Sequence, residues 1–273
     1  MNLNSWEDFL ERLKELENNR RERGSRSEFL YRGQGKKSYG LKTTLERHVK
    51  KCISLREYYN LIYAAKFVIE SFTGVDWNIM DLSEFENWLK DNDTMIDVAL
   101  GQPKYYPNIY SYMVYLRHYG FPSPLLDWSS SPYVAAYFAF SDVFQRACDV
   151  SIYVYLESKS EIGLKSGGNE AYIRRLGPYV KTDRRHFIQQ SQYTICIIRD
   201  GTPDGQWRYA PHEEAFARDD PNQDLLWKFK IPHSERLKVL KLLDDYNINA
   251  SSLFGSQETL METMALRQIH FRD

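Results

Sequence analysis

RHYGFPSPLLDWSSSPYVAAYFAF, the run from Arg117 to Phe140, decides how the rest of the chain is read. Gly120, Pro122 and Pro124 forbid a continuous helix through its first third. Leu125 and Leu126 carry Asp127 and Trp128 into Ser129, Ser130 and Ser131, and Pro132 then stands where a first helical residue belongs, with Ser131 as N-cap. From Pro132 to Phe140 nearly every face is apolar, which predicts a buried helix. The start of such a helix, fronted by three hydroxyls, offers unpaired N–H groups and the positive end of a dipole, a setting suited to phosphate or another anion. The same residues serve equally well as a cap that only ties down the helix entry.

Upstream, Trp6, Phe9, Leu10, Leu13 and Leu16 share one helical face behind a Ser5-x-x-Asp8 capping pattern. Glu28 to Gly35 reads as a short strand ending in a glycine-flanked loop. Arg32 interrupts its apolar run, and a guanidinium there needs a carboxylate, a carbonyl or a ligand phosphate. Asp127 is the candidate structural partner. Ser54-x-x-Glu57 opens a helix, Ser83 to Lys90 and Ile109 to His118 predict two more, and residues 36–116 read as a mostly helical, insertion-like segment.

Downstream, Asp149 to Leu156, Gln192 to Arg199 and Leu225 to Ile231 are rich in β-branched and aromatic residues and predict strands. In the last of them Leu225, Trp227, Phe229 and Ile231 fall on one face. Lys159 to Lys181 reads as surface loop with room for one helix, and Gly201 to Gln223 as a long excursion. Ser234 is expected to cap a helix, Asn249 to Gly255 to be extended, and Gln257 to Arg267 to be a final helix. The class is α+β, with a mixed or antiparallel sheet core and a helical N-terminal half. The chain has no Rossmann or Walker glycine pattern.

A net charge of −1, from 36 basic and 37 acidic residues, argues against a protein held to nucleic acid by bulk electrostatics, while leaving room for a local basic groove. Cys52, Cys148 and Cys196 are odd in number and lack a CxxC spacing, so reduced core cysteines in a cytoplasmic protein are expected, with no metal site. No run reaches the roughly 18 to 20 apolar residues of a membrane span, and no membrane partner is expected.

Three separated pieces carry a family resemblance. They are Tyr31-Arg32-Gly33-Gln34; His118-Tyr119-Gly120 with Pro122 to Pro132 and Val134 to Ala139; and Arg185 with Gln189-Gln190-Ser191-Gln192-Tyr193-Thr194. Together they resemble the FRG domain family, with Tyr31 in place of its usual Phe, Arg117 in place of the Gln before His-Tyr-Gly, and Ser191 in place of the Gly after the paired glutamines. The resemblance runs from about Trp6 to Leu253, so residues 1–273 are expected to form a single FRG domain. More remotely, the order of strand arginine, serine run and Gln-rich strand entry is similar to ADP-ribosyltransferases of the Arg, Ser-Thr-Ser, Gln/Glu-x-Glu type. That resemblance implies a transferase-like fold with NAD as substrate. Tyr31, Arg32, Gly33, Gln34, His118, Tyr119, Asp127, Ser129, Ser130 and Ser131 would hold NAD, and Arg32, Ser131, Gln190 and Gln192 would carry the chemistry. It also implies a protein or nucleic-acid acceptor, and a toxin or phage-defence role in which an antitoxin is a candidate partner.

Breaking the bond between nicotinamide and ribose develops positive charge, and the Gln190-x-Gln192 positions bring no carboxylate to offset it. Losing one well-placed electrostatic partner costs on the order of 10² to 10³ in rate. Asp127, Glu213 or Glu214 would have to supply the charge, and Tyr119, Trp128, Tyr133 or Phe138 would stack on the nicotinamide. The alternative is a non-catalytic module that recognises a nucleotide or a nucleic-acid end. A hydrolase using Ser130 or Ser131 with His118 and Asp127 is a third reading, weakened by the absence of a GxSxG elbow.

Overall fold

Alternating apolar residues in short runs build a seven-stranded sheet in the computed structural model, which describes residues 1–22, 27–91, 107–141, 148–157, 170–177, 180, 182–199, 201, 205–216 and 224–272. The strands are β1 (Leu30–Gln34), β2 (Leu126–Ser129), β3 (Val150–Leu156), β4 (Tyr172–Arg175), β5 (Ser191–Arg199), β6 (Trp207–Tyr209) and β7 (Leu225–Ile231). Their order is β4-β5-β2-β1-β3-β7, and every pairing between them is antiparallel. β2 pairs with the first residues of β5, and β6 takes over along the same edge at Ile197 to Arg199. The α+β class read from sequence therefore holds, with an antiparallel sheet.

The join between the two halves of the sheet is thin. β1 matches β3 over all five of its residues, Leu30↔Tyr155 through Gln34↔Ser151, but meets β2 only at Tyr31↔Ser129. Beyond that point the ladder opens, and the Arg32 side chain takes the main-chain oxygen of Asp127, Nη1 to O 2.5 Å, where a strand N–H would otherwise donate.

Helices cover the sheet in two groups. α1 (Trp6–Glu22), α6 (Pro132–Phe140) and α8 (Arg236–Asp245) pack Trp6, Phe9, Val134, Phe140, Val239 and Leu243 against Ile152, Val154, Phe229 and Ile231. α2 (Thr44–His48), α3 (Leu55–Thr73), α4 (Leu82–Asp91) and α5 (Pro107–His118) form the other group and bury Tyr58, Tyr59, Phe85 and Tyr112 with Tyr193, Ile195 and Ile197. A smaller cluster on the other face holds Leu30, Leu126, Trp128, Tyr155 and Cys196.

Capping fixes where the helices begin. Thr43 with Glu46 and Ser54 with Glu57 form reciprocal capping boxes. Ser131 Oγ accepts the Val134 N–H with Pro132 at the first helical position, as its sequence predicts. Asn249 to Gly255 is not extended: it is a helix, α9 (Ala250–Phe254), closed by Asn249 at one end and Gly255 at φ 73° at the other. Ser234 is not an N-cap either. It sits inside a 3₁₀ turn, and Glu235 precedes α8 without a side-chain cap. The remaining α-helices among the described residues are α7 (Arg184–Ile188) and α10 (Gln257–Ala265), with a 3₁₀ turn at His212–Phe216 and a π turn at Leu266–His270. β4 and β6 lie in stretches expected to be loop, and residues 159–169, 178–179, 181, 202–204 and 217–223 of those stretches fall outside the described residues. The cysteines are all free, but only Cys196 is a core residue; Cys148 is partly buried and Cys52 is exposed. Among the described residues no helix is long and apolar enough to cross a membrane.

Candidate functional site

Strand register decides what faces the gap between the two helical groups. Tyr31 pairs with Ser129, Ser129 with Ser191 and Asp127 with Tyr193, so these side chains stand on one face of the sheet. They floor a cleft of ≈ 350 Å³ whose walls come from α5, α6, the α7–β5 turn and α9. Gly33 belongs to the same floor because α6 crosses β1 there. A Cβ at that position would lie 1.9 Å from the Ala135 carbonyl oxygen and 2.7 Å from the Ala139 nitrogen.

At the base of the cleft the Asp127 carboxylate is gripped by Arg117, Nε to Oδ1 2.9 Å and Nη2 to Oδ2 2.5 Å. Arg32, expected to be its main partner, stays 3.8 Å from Oδ2 and bonds the main-chain oxygen instead. Arg117, which first stood out only as a departure from the family pattern, is thus the residue that forks the acid. Burial favours the neutral acid, but the charges of Arg117 and Arg32 outweigh it and hold Asp127 below its ordinary value. Arg32 has only 13% of its side chain exposed. Burial, aided by the charges of Arg117 and Arg47, lowers it to about 10, and its Nε has no hydrogen-bond partner.

Arg185, at the start of α7, donates from Nη2 to the His118 carbonyl at 2.8 Å and stacks over the Tyr119 ring at 5.3 Å. Its Nε is likewise buried and unpartnered. His118 shares its Nε2 with the Tyr193 hydroxyl at 2.8 Å, and Tyr193 meets His186 Nδ1 at 3.4 Å. Burial, then the charge of Arg185, pushes His118 down to about 4, so its ring is neutral near pH 7. Ser129 Oγ donates to the Gln189 carbonyl at 2.8 Å and accepts the Ser131 N–H at 3.0 Å, which ties the serine run to the turn before β5.

The three segments do converge, but not through all the residues chosen for them. Tyr31, Arg32, Gly33, His118, Asp127 and Ser129 line the cleft; Gln34, Tyr119, Ser130, Ser131, Gln190 and Gln192 do not. Gln34 donates to the Gly40 carbonyl at 3.1 Å, and Gln192 accepts Arg175 Nε at 3.2 Å. Ser131 is occupied as the α6 cap. Gln190 is exposed at φ 49°, so the left-handed residue of this turn is the second glutamine, and Ser191 simply begins β5. Gln189, Ser191, Tyr193 and Phe254 take their places in the cleft. The one-residue offset is set by where β5 begins, at Ser191, and by the left-handed turn at Gln190 that precedes it. Phe254 comes from a helix of only five residues and left no periodic signal.

Tyr133 packs on Trp6 and Tyr246, away from the cleft, whereas Phe138 lines it and meets Phe254 edge to face at 6.0 Å. Glu213 and Glu214 border a second cavity, with Glu213 Oε1 accepting the Leu41 N–H at 3.1 Å. Among the described lining residues Asp127 is therefore the one carboxylate, facing Arg32, Arg117 and Arg185. No group of three or more His, Cys, Asp or Glu among the described residues is placed to hold a metal ion.

Fold and cleft define an α+β protein with a basic crevice at the opening of an antiparallel sheet. Residues 27–147, somewhat under half of the chain, match the FRG domain model. The match takes in Tyr31–Gln34 and the segment from His118 through α6, and stops short of α7 and β5. Neither the curated proteins nor the solved structures provide a match to the chain.

Proposed function

We propose that the cleft binds a phosphate-bearing nucleotide, NAD being the first candidate, and holds it without rapid turnover. The observation that carries this reading is the pair of incompletely satisfied guanidiniums: among the described residues Arg32 and Arg185 each keep a buried Nε without a partner, and the carboxylate 3.8 Å from Arg32 is forked by Arg117. Such groups are costly to bury without an acceptor, and phosphate oxygens fit the planar fork of arginine. Phe138 and Phe254, 37% and 39% exposed, offer ring faces for a base or a nicotinamide. At ≈ 350 Å³ the cleft is at the small end of ligand pockets, which run from roughly 300 to 1,000 Å³, so it takes one nucleotide, and NAD would seat one of its two halves there with the other outside.

ADP-ribosyl transfer to a protein or nucleic-acid acceptor is the second reading, and a toxin or phage-defence role with an antitoxin partner belongs to it. It is favoured by the meeting of Arg32, Ser129 and Gln189 in one crevice. It is weakened because Asp127, already forked by Arg117, would have to offset the developing cation. Either reading places the protein in the cytoplasm, where its free cysteines stay reduced.

Calorimetry with AMP, ADP and NAD, paired with an assay for released nicotinamide, tests both. Binding without nicotinamide release is the expected result. Release that depends on Asp127 would favour the transferase, and the absence of heat with all three nucleotides would remove the nucleotide reading.

A further inference from the structure

α2 is the partition between the two cavities. Its first residue, Thr44, touches Arg117 in the basic cleft, Nη1 to Oγ1 3.4 Å, while Thr43, Leu45 and Glu46 line the second cavity of ≈ 650 Å³. In a chain of net charge −1, residues 42–51 carry Lys42, Arg47, Lys50 and Lys51 against Glu46 alone, four positive charges less one negative, or +3. Arg47 is exposed and close enough for its charge to lower Arg32, and Lys42 and Lys50 stand on the rim of the second cavity without an ion pair among the described residues. The acids beside them are partly engaged. Glu46 accepts the Thr43 N–H at 2.8 Å and Glu213 the Leu41 N–H, and Glu214 is the third.

We propose that the ligand is the phosphorylated end of a single-stranded nucleic acid. The terminal nucleotide sits in the cleft, and the following phosphates cross the crest of α2 past Arg47 toward Lys42 and Lys50. This rests on the nucleotide reading of the cleft and adds the class of molecule to it. A cleft of ≈ 350 Å³ admits one unpaired nucleotide, whereas a duplex presents a major groove alone about 12 Å wide. Exposed cations spaced beyond the pocket touch no phosphate of a mononucleotide and contribute little to it, but add salt-dependent contacts to a chain of phosphates.

The test is fluorescence anisotropy with a labelled twelve-nucleotide single strand carrying a 5′- or 3′-phosphate, its unphosphorylated twin, and AMP as competitor, at 50 and 200 mM salt. The phosphorylated strand should bind at least tenfold more tightly than AMP. Three phosphate contacts at a slope of about −0.7 each make its affinity fall about 20-fold across that salt range. A triple variant, Lys42→Gln, Arg47→Gln and Lys50→Gln, should lose the advantage of the strand and keep the affinity for AMP, which also shows that it is folded. Equal affinity for strand and AMP, or a variant that leaves the strand unaffected, overturns this proposal while the nucleotide reading stands. Failure of AMP and strand alike overturns both. Polyglutamate competing as well as the strand would put an acidic polypeptide in its place.

Discussion

Arg32 is stationed where the fold gains little from it. Its guanidinium is buried, bonded to one carbonyl and 3.8 Å from a carboxylate already held by Arg117. Replacing it by methionine, of similar length, removes an under-satisfied charge at the cost of one hydrogen bond worth about 1 kcal/mol. Arg32→Met should therefore unfold in urea within about 1 kcal/mol of the native protein while no longer responding to nucleotide. Asp127→Asn should behave in the opposite way. It strands two guanidiniums without a countercharge, and unfolding should become easier by about 2–3 kcal/mol, below the 3–5 of a fully enclosed pair because Asp127 is 38% exposed. A large loss in the first variant and none in the second would mean that Arg32, not Asp127, is the structural member. His118 gives the site a pH signature. Its folded value of about 4 lies below the ordinary imidazole value, so between about pH 6.5 and 4 the unfolded chain takes up a proton that the native one refuses. Stability should fall as pH drops through that window, and urea midpoints of His118→Gln should fall less steeply there.

Among the elements, β1 and α6 are the pair whose closeness makes the cleft, and Gly33 is the residue that permits it. The obstacle to a Cβ is main chain at 1.9 Å, which no side-chain rotation relieves. Gly33→Ala should cost about 3 kcal/mol, the upper end of ordinary overpacking, and lower the melting temperature; an unchanged melting curve would show that α6 can lift off β1 freely. α6 itself was legible from Ser131-Pro132 and an unbroken apolar run, as were α3 from its capping box and β7 from its alternation, because each signal is local. β2 and α9 were not. A strand of four residues and a helix of five are too short for a period to show, and β2 is held by pairing with β1 and β5. The same limit explains the site. The three segments named from the sequence meet at the cleft, but which residue of Gln189-Gln190-Ser191 faces inward depends on where β5 begins and on the left-handed turn at Gln190.

Across the whole molecule the sheet is two half-sheets joined at Tyr31↔Ser129, with the cleft over the seam. A ligand held by Arg32 on one half and by Ser129, Arg185 and Ser191 on the other would brace that seam in a way that no single helix does. Such bracing follows mass action: at a hundred times its dissociation constant a ligand adds about 2.7 kcal/mol, or roughly 5–10 °C in melting temperature for a chain of this size. The stabilisation should also have a location. Amide exchange should slow at Leu30–Gln34, Leu126–Ser129 and the first residues of β5, and much less in β7 or α3, which lie away from the seam. Arg32→Met should abolish both the shift and the added protection, since it removes the grip on one half. Protection centred instead on Lys42 to Ile53 would place the nucleotide in the second cavity. A shift undiminished in Arg32→Met would show that the seam is braced without the guanidinium on which the nucleotide reading depends.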